Sequence, residues 1–139
     1  IEENIARCSL ANIRAVQADA RILDQTQVQR ADIVIADLPC SGLGVLGRKA
    51  DIKYRITRQA CEELATLQRE ILGIVQQYVK PGGILIYSTC TIHRAENEEN
   101  VSWFLQQHSD FCLEKQQQIL PKKGENDGFF LAKLRKESR

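Results

Sequence analysis

The sequence predicts an α/β fold built on an open, doubly wound sheet with parallel strands. Three observations predict it. Short unbroken apolar runs such as ADIVIAD suit strands covered on both faces. A long stretch from Thr57 places apolar residues at spacings of three and four, the period of an amphipathic helix. The two patterns alternate over the first hundred residues, with no internal repeat and no low-complexity linker.

The elements follow in order. In IEENIARCSL, the residues Ile1, Ile5 and Cys8 form one stripe of an amphipathic helix, read as the end of an αβ unit. IRAVQAD is a short strand ending at Asp19, and ADIVIAD is a second ending at Asp37. Thr57 is the expected N-cap of a helix reaching about Val79, with Leu64, Leu67, Ile71, Ile74, Val75 and Tyr78 on its apolar face. Pro81-Gly82-Gly83 is expected to end that helix and start a third strand, GILIYST, because proline cannot continue a helix. After Cys90 a helix begins near Ala95, with Glu96, Glu98 and Glu99 at its positive end and Val101, Phe104, Leu105 and His108 as its buried stripe. DFCLEK and DGFFLAKLRK, on either side of a polar stretch with Lys122, Lys123 and Gly124, are two closing strands.

Composition narrows the class. The 139 residues are 43% hydrophobic and 27% charged, with 19 basic against 18 acidic side chains, which fits one ordinary folded domain and excludes a disordered or fibrous chain. No apolar run reaches the roughly 18 residues of a membrane span, and the first residues carry acids where a signal peptide carries Lys or Arg, so a cytoplasmic setting is expected. Methionine is absent, including at position 1, and the chain opens in a helical pattern, so a piece of a longer protein is expected. A net charge of +1 is no argument for nucleic acid, and basic clusters must be sought locally. The five cysteines, Cys8, Cys40, Cys61, Cys90 and Cys112, are odd in number and form no C-x-x-C pair, which argues against a disulfide framework or a zinc site. His93 and His108 read as too isolated for a metal centre, so no metal is expected.

In doubly wound sheets ligands bind at the carboxyl ends of the strands, and three predicted strands end in reactive residues: Asp19, Asp37 and Cys90. Asp37 opens DLPCSGLG, where Pro39 fixes the backbone and Ser41 and Gly42 permit a tight turn that holds Cys40 just past the strand end. A buried, inert loop cysteine is the plain alternative for Cys40, as is a turn role for Asp19.

DLPCSGLGVLGRKADIKYR, LQREILGIVQQYVKPGGILIYSTCT, ENEENV and DGFFLAKLRK, taken in order, resemble the Sun (Fmu) family of S-adenosylmethionine-dependent RNA cytosine-5 methyltransferases that act on ribosomal RNA. The resemblance covers nearly the whole chain and implies a Rossmann-like methyltransferase sheet. It implies that residues 1–139 are the C-terminal portion of that domain, because the family's earlier glycine-rich cofactor loop and ribose-binding acid have no counterpart here. The sheet would then be partial, lacking its first two strands, with bare edges open to self-association, to pairing between the two exposed strands, or to cover by a further segment.

The resemblance also assigns roles. Cys90, in STCT, is the nucleophile that adds to carbon 6 of cytosine, and Cys40, in LPCSG, assists its release. Asp37 hydrogen-bonds the base and lies near the cofactor, and Asp19 stands beside the adenine. Residues 48 to 58 hold Arg48, Lys49, Lys53, Arg55 and Arg58 against one acid, Asp51, a local basic excess expected to contact RNA phosphates, with a solvated loop as the alternative. Two other readings stand beside this one. A catalytically silent RNA- or protein-binding domain would keep the fold with inert thiols. A DNA-type enzyme would use Cys40 as the nucleophile with Glu99-Asn100-Val101 as its Glu-Asn-Val triplet. That triplet instead falls within the predicted helix, with Val101 on its apolar stripe.

Overall fold

The computed structural model describes residues 1–138. Its centre is a four-stranded sheet in the order β1-β2-β4-β3, formed by β1 (Ala31–Asp37), β2 (Val79–Thr89), β3 (Phe111–Ile119) and β4 (Phe129–Lys136). β1 and β2 run parallel, with Ile35 opposite Ile86 and Asp37 opposite Ser88. β4 inserts antiparallel between β2 and β3. The parallel pair needs a crossover, and α3 (Arg58–Val75) supplies it. Thr57 caps that helix as expected, its hydroxyl accepting the Ala60 N–H at 3.1 Å. α4 (Glu98–Gln107) links β2 to β3, and two short helices, α1 (Glu2–Arg7) and α2 (Ile52–Arg55), complete the set.

The core lies on one face of the sheet. Leu85 and Tyr87 of β2, with Phe130, Ala132 and Leu134 of β4, meet Ile71, Leu72 and Val75 of α3 and Val101 and Phe104 of α4. Alternation places their strand neighbours on the opposite face, where Ile33 and Ile35 are 56% and 69% exposed. No described helix is long and apolar enough to cross a membrane.

Three expectations are corrected. Residues 13–19, read as a strand ending at Asp19, have no regular secondary structure and pair with no strand among the described residues, so pairing of this segment with β1 is not formed. Strand character needs a ladder partner, which the apolar pattern alone does not provide. The stripe of Ile1, Ile5 and Cys8 does not join the core: Ile1 and Cys8 are exposed and Ile5 is only half-buried. Pro81-Gly82-Gly83 does not separate helix from strand: α3 ends at Val75, a 3-10 turn follows, and β2 already begins at Val79. The proline and glycines form an irregularity inside β2, where pairing jumps from Ala31–Val79 to Ile33–Ile84 and Gly82 takes φ +77°.

Candidate active site

The parallel register brings the ends of β1 and β2 side by side, and the loops leaving them carry the two cysteines. Cys40 Sγ and Cys90 Sγ are 3.2 Å apart. Both thiols are half-buried, whereas Cys8 and Cys112 are exposed. Burial first, then the hydrogen bond with Cys90, pushes the Cys40 thiol up to about 12, so Cys40 keeps its proton at ordinary pH. Asp37 lies at the same edge of the sheet, one carboxylate oxygen accepting the Ser88 hydroxyl at 3.0 Å.

The loop after Cys40 is held from several directions. Gly42 turns it in the left-handed region at φ +71°, where a side chain is disfavoured. Gly44 donates to the Cys90 carbonyl at 3.0 Å and accepts from the Gly128 N–H at 2.7 Å. A β-carbon on Gly44 would lie 2.7 Å from the Gly128 carbonyl carbon and 2.8 Å from the Cys90 carbonyl oxygen, so only glycine fits this crossing. Ser41 and Thr91, the residues that follow the two thiols, share a hydroxyl hydrogen bond of 2.7 Å.

Below the loop lies a group of buried polar side chains that sequence reasoning missed. Glu96, expected only as an acid at a helix start, is 0% exposed. Its Oε2 accepts the Ser41 N–H at 2.8 Å and the Gln68 amide at 3.1 Å. Gln68, also 0% exposed, donates to the Pro39 carbonyl at 2.9 Å and accepts from Asn100 at 2.8 Å. Tyr87 donates to the Glu96 carbonyl, and Asn97 accepts the Thr89 hydroxyl at 2.6 Å. One signal for Gln68 was in the sequence: it stands between Ala65 and Ile71 at helical spacing, a polar residue on an apolar stripe. His93 is less isolated than expected. Its Nδ1 is 3.6 Å from Glu96 Oε1, and together with Cys61 Sγ these donor atoms lie within 4.8 Å of one another. The Cys61 thiol is pushed up by burial and then by the Glu96 charge.

A cleft of about 320 Å³ opens over the thiols, lined by Cys40, Ser41, Gly42, Val45, Lys49, Ile52, Arg55, Ile56 and Cys90. Of the five basic residues expected to contact RNA, Lys49 and Arg55 stand at the thiols, with Arg55 paired to Asp51, while Arg58 pairs with Glu62 on α3. Arg48 is drawn away by an ion pair with Asp127 and lines a neighbouring groove with Lys122 and Lys123. Lys53 lies 4.7 Å from the centre of the Tyr54 ring. Asp19 does not join the cluster. Its carboxylate is taken by Arg21, whose hydrogen bonds hold it down to about 2. The Glu99-Asn100-Val101 triplet is structural in its setting, with Val101 2% exposed in the core and Asn100 bonded to Gln68 and Arg69.

A family model described as 16S rRNA methyltransferase RsmB/F matches residues 1–135. The probable ribosomal RNA small subunit methyltransferase B of Bacillus subtilis is 39% identical over 155 residues, which span 99% of this chain and 35% of that protein. The ribosomal RNA small subunit methyltransferase F of Cronobacter sakazakii is 31% identical, over 98% of this chain and 32% of its own length. The chain thus spans about a third of the length of these curated relatives. Among solved structures, NSun6 from Pyrococcus horikoshii with SFG superposes with a TM-score of 0.85 at 34% identity, covering 99% of this chain and 38% of that one. That superposition bears out the Rossmann-like α/β fold.

Proposed function

The chain belongs to the 16S rRNA methyltransferase RsmB/F family, and from that premise we propose that it serves S-adenosylmethionine-dependent methylation of cytosine carbon 5 in RNA, with Cys90 as nucleophile. The observation that carries this reading is the 3.2 Å contact between the Cys40 and Cys90 sulfurs, at the sheet edge that also holds Asp37. Either sulfur can donate in that contact, so one can attack as a thiolate while the other donates to it, and the family resemblance of STCT assigns the attack to Cys90. Cytosine carbon 5 is a weak nucleophile until sulfur adds to carbon 6 and makes the ring an enamine. The methylated adduct then loses its carbon 5 proton to a base, that electron pair restores the ring double bond, and the C6–S bond breaks. The departing pair returns to Cys90, where the Cys40 S–H stands ready to stabilise it by hydrogen bonding. The DNA-type assignment, in which Cys40 attacks, uses the same pair with the roles exchanged, and the adduct test below separates the two.

S-adenosylmethionine supplies an electrophilic methyl group when bound. Asp37 fits a part in holding it or the base, because among the described residues its carboxylate accepts one hydrogen bond, from Ser88, and keeps further acceptor capacity at the sheet edge. Asp19, already paired with Arg21, would serve the adenine with its remaining acceptor capacity. Lys49 and Arg55 beside the thiols suit the phosphates flanking an extruded base. The inert-scaffold alternative requires the thiol pair to serve packing alone, although both sulfurs' residues line an open cleft.

The test expresses the protein with the whole of its natural reading frame and incubates it with S-adenosylmethionine and small-subunit rRNA. Cys40→Ser is expected to accumulate a protein–RNA adduct that survives denaturing gels, and Cys90→Ser to form none. The reverse pattern assigns attack to Cys40, and no adduct from either variant, with methylation intact, removes covalent catalysis.

A further inference from the structure

We infer that Glu96 is a positioning residue, whose buried carboxylate, acting with Gln68, holds the Cys40 loop in place against Cys90. The inference rests on the paired-thiol reading above. A carboxylate taken out of water costs several kcal/mol unless hydrogen bonds compensate it. Glu96 is 0% exposed, and its Oε1 makes no hydrogen bond among the described residues, with His93 Nδ1 facing it at 3.6 Å. A group kept in so costly a setting needs a reason, and its Oε2 supplies one: it accepts the Ser41 N–H at 2.8 Å. Gln68, hydrogen-bonded to the same oxygen, donates at 2.9 Å to the Pro39 carbonyl. The backbone is therefore gripped on both sides of Cys40 by one pair of side chains, while the Cys40 sulfur itself touches neither of them through a hydrogen bond.

The grip has a rigid base. Gln68 stands on α3, braced by Asn100 at 2.8 Å, and Asn100 in turn accepts from Arg69 at 2.7 Å. Tyr87 of β2 holds the Glu96 carbonyl, and Asn97 next to it ties to Thr89 and to the Thr91 carbonyl just beyond Cys90. Glu96 thus refers the position of Cys40 to the strand that carries Cys90. An apolar replacement would be cheaper to bury but could not receive the Ser41 N–H.

Three variants separate positioning from mere stability, using the whole natural reading frame. Glu96→Gln keeps an acceptor for Ser41. Glu96→Asp keeps the charge but withdraws the acceptor by one methylene. Glu96→Ala removes it. With methylation assayed alongside Cys40→Ser, Asp and Ala are expected to lose about 100-fold in kcat, the scale of a misplacement near 1 Å, with little change in KM for the cofactor. Both are expected to accumulate the covalent RNA adduct as Cys40→Ser does, and Gln to recover turnover to within about tenfold of the parent. If Cys40→Ser accumulates adduct while folded Asp and Gln variants turn over alike without it, the inference falls and the thiol reading stands. If Cys40→Ser accumulates none, the reading beneath it fails and takes the inference with it.

Discussion

Adding one methyl group at Gly44 tests whether the three loops around the thiols are as tightly joined as the geometry says. In Gly44→Ala the new β-carbon would sit 2.7 Å from the Gly128 carbonyl carbon and 2.8 Å from the Cys90 carbonyl oxygen, with backbone on both sides and no flexible side chain to yield. Ordinary contact requires several tenths of an ångström more on each side. The shift must therefore break or stretch the Gly128-to-Gly44 hydrogen bond of 2.7 Å, the Gly44-to-Cys90 bond of 3.0 Å, or both. One lost bond costs about 1 kcal/mol. Forcing a group into a packed site costs typically 1–3 kcal/mol more. The sum is about 3 kcal/mol, which for a domain of this size lowers Tm by roughly 10 °C. Gly47→Ala is the matched control, three residues along, where a β-carbon meets nothing within 4 Å. It is expected to change stability by less than about 0.5 kcal/mol. Thermal unfolding followed by circular dichroism measures both variants. A Gly44→Ala protein that melts within about 2 °C of Gly47→Ala would refute the claim that this crossing admits glycine alone.

Alkylation of Cys40 by iodoacetamide, followed by peptide mass spectrometry, is expected to be slow at pH 8 and still rising between pH 9 and 12, because reagent attacks the thiolate and the Cys40 thiol is raised to about 12. The same shift makes the folded form hold its proton longer than the unfolded one, so that contribution to stability is present below pH 9 and is lost as pH climbs toward 12. Mild oxidation with diamide is expected to join Cys40 to Cys90 in preference to any other pair, since 3.2 Å between sulfurs leaves little distance to close. The Asp19 carboxyl is expected to titrate near 2 by NMR and to return toward the ordinary value of 3.8 in Arg21→Ala. Its small stabilising effect is present above pH 3.8 and fades as pH falls through 2.

The features that sequence carried were those written in local spacing. ADIVIAD, α3 and FFLAKLRK each display their period within a dozen residues, and each formed the predicted element type. ADIVIAD is nevertheless covered on one face only, and α3 stops at Val75 and buries Cys61, Ala65, Gln68 and Leu72 beside Ile71 and Val75. Cys40 and Cys90 were legible because proline, serine and glycine mark one turn, a strand end marks the other, and parallel pairing must then bring the turns together. Glu96 was not legible. At the start of a helix an acid complements the helix dipole whether it is exposed or buried, and what buries this one is the Ser41 N–H arriving from 55 residues away. The pairing of Arg48 with Asp127 spans 79 residues and was equally hidden. The segment before Asp19 failed for the opposite reason: its pattern was strand-like, but a strand exists only where a neighbour accepts its hydrogen bonds.

The outer edge of β1 has a practical consequence. Beyond β1 the described residues add no further strand, so it presents free backbone donors and acceptors beside Ile33 and Ile35, 56% and 69% exposed. An edge of that kind templates the addition of like strands. For residues 1–138 handled alone, that edge is expected to favour precipitation at high concentration, at a distance from the thiols, so a sample can lose material while the molecules left in solution keep their thiol chemistry intact. Activity per milligram then reports the history of the sample, whereas activity per soluble molecule reports the site.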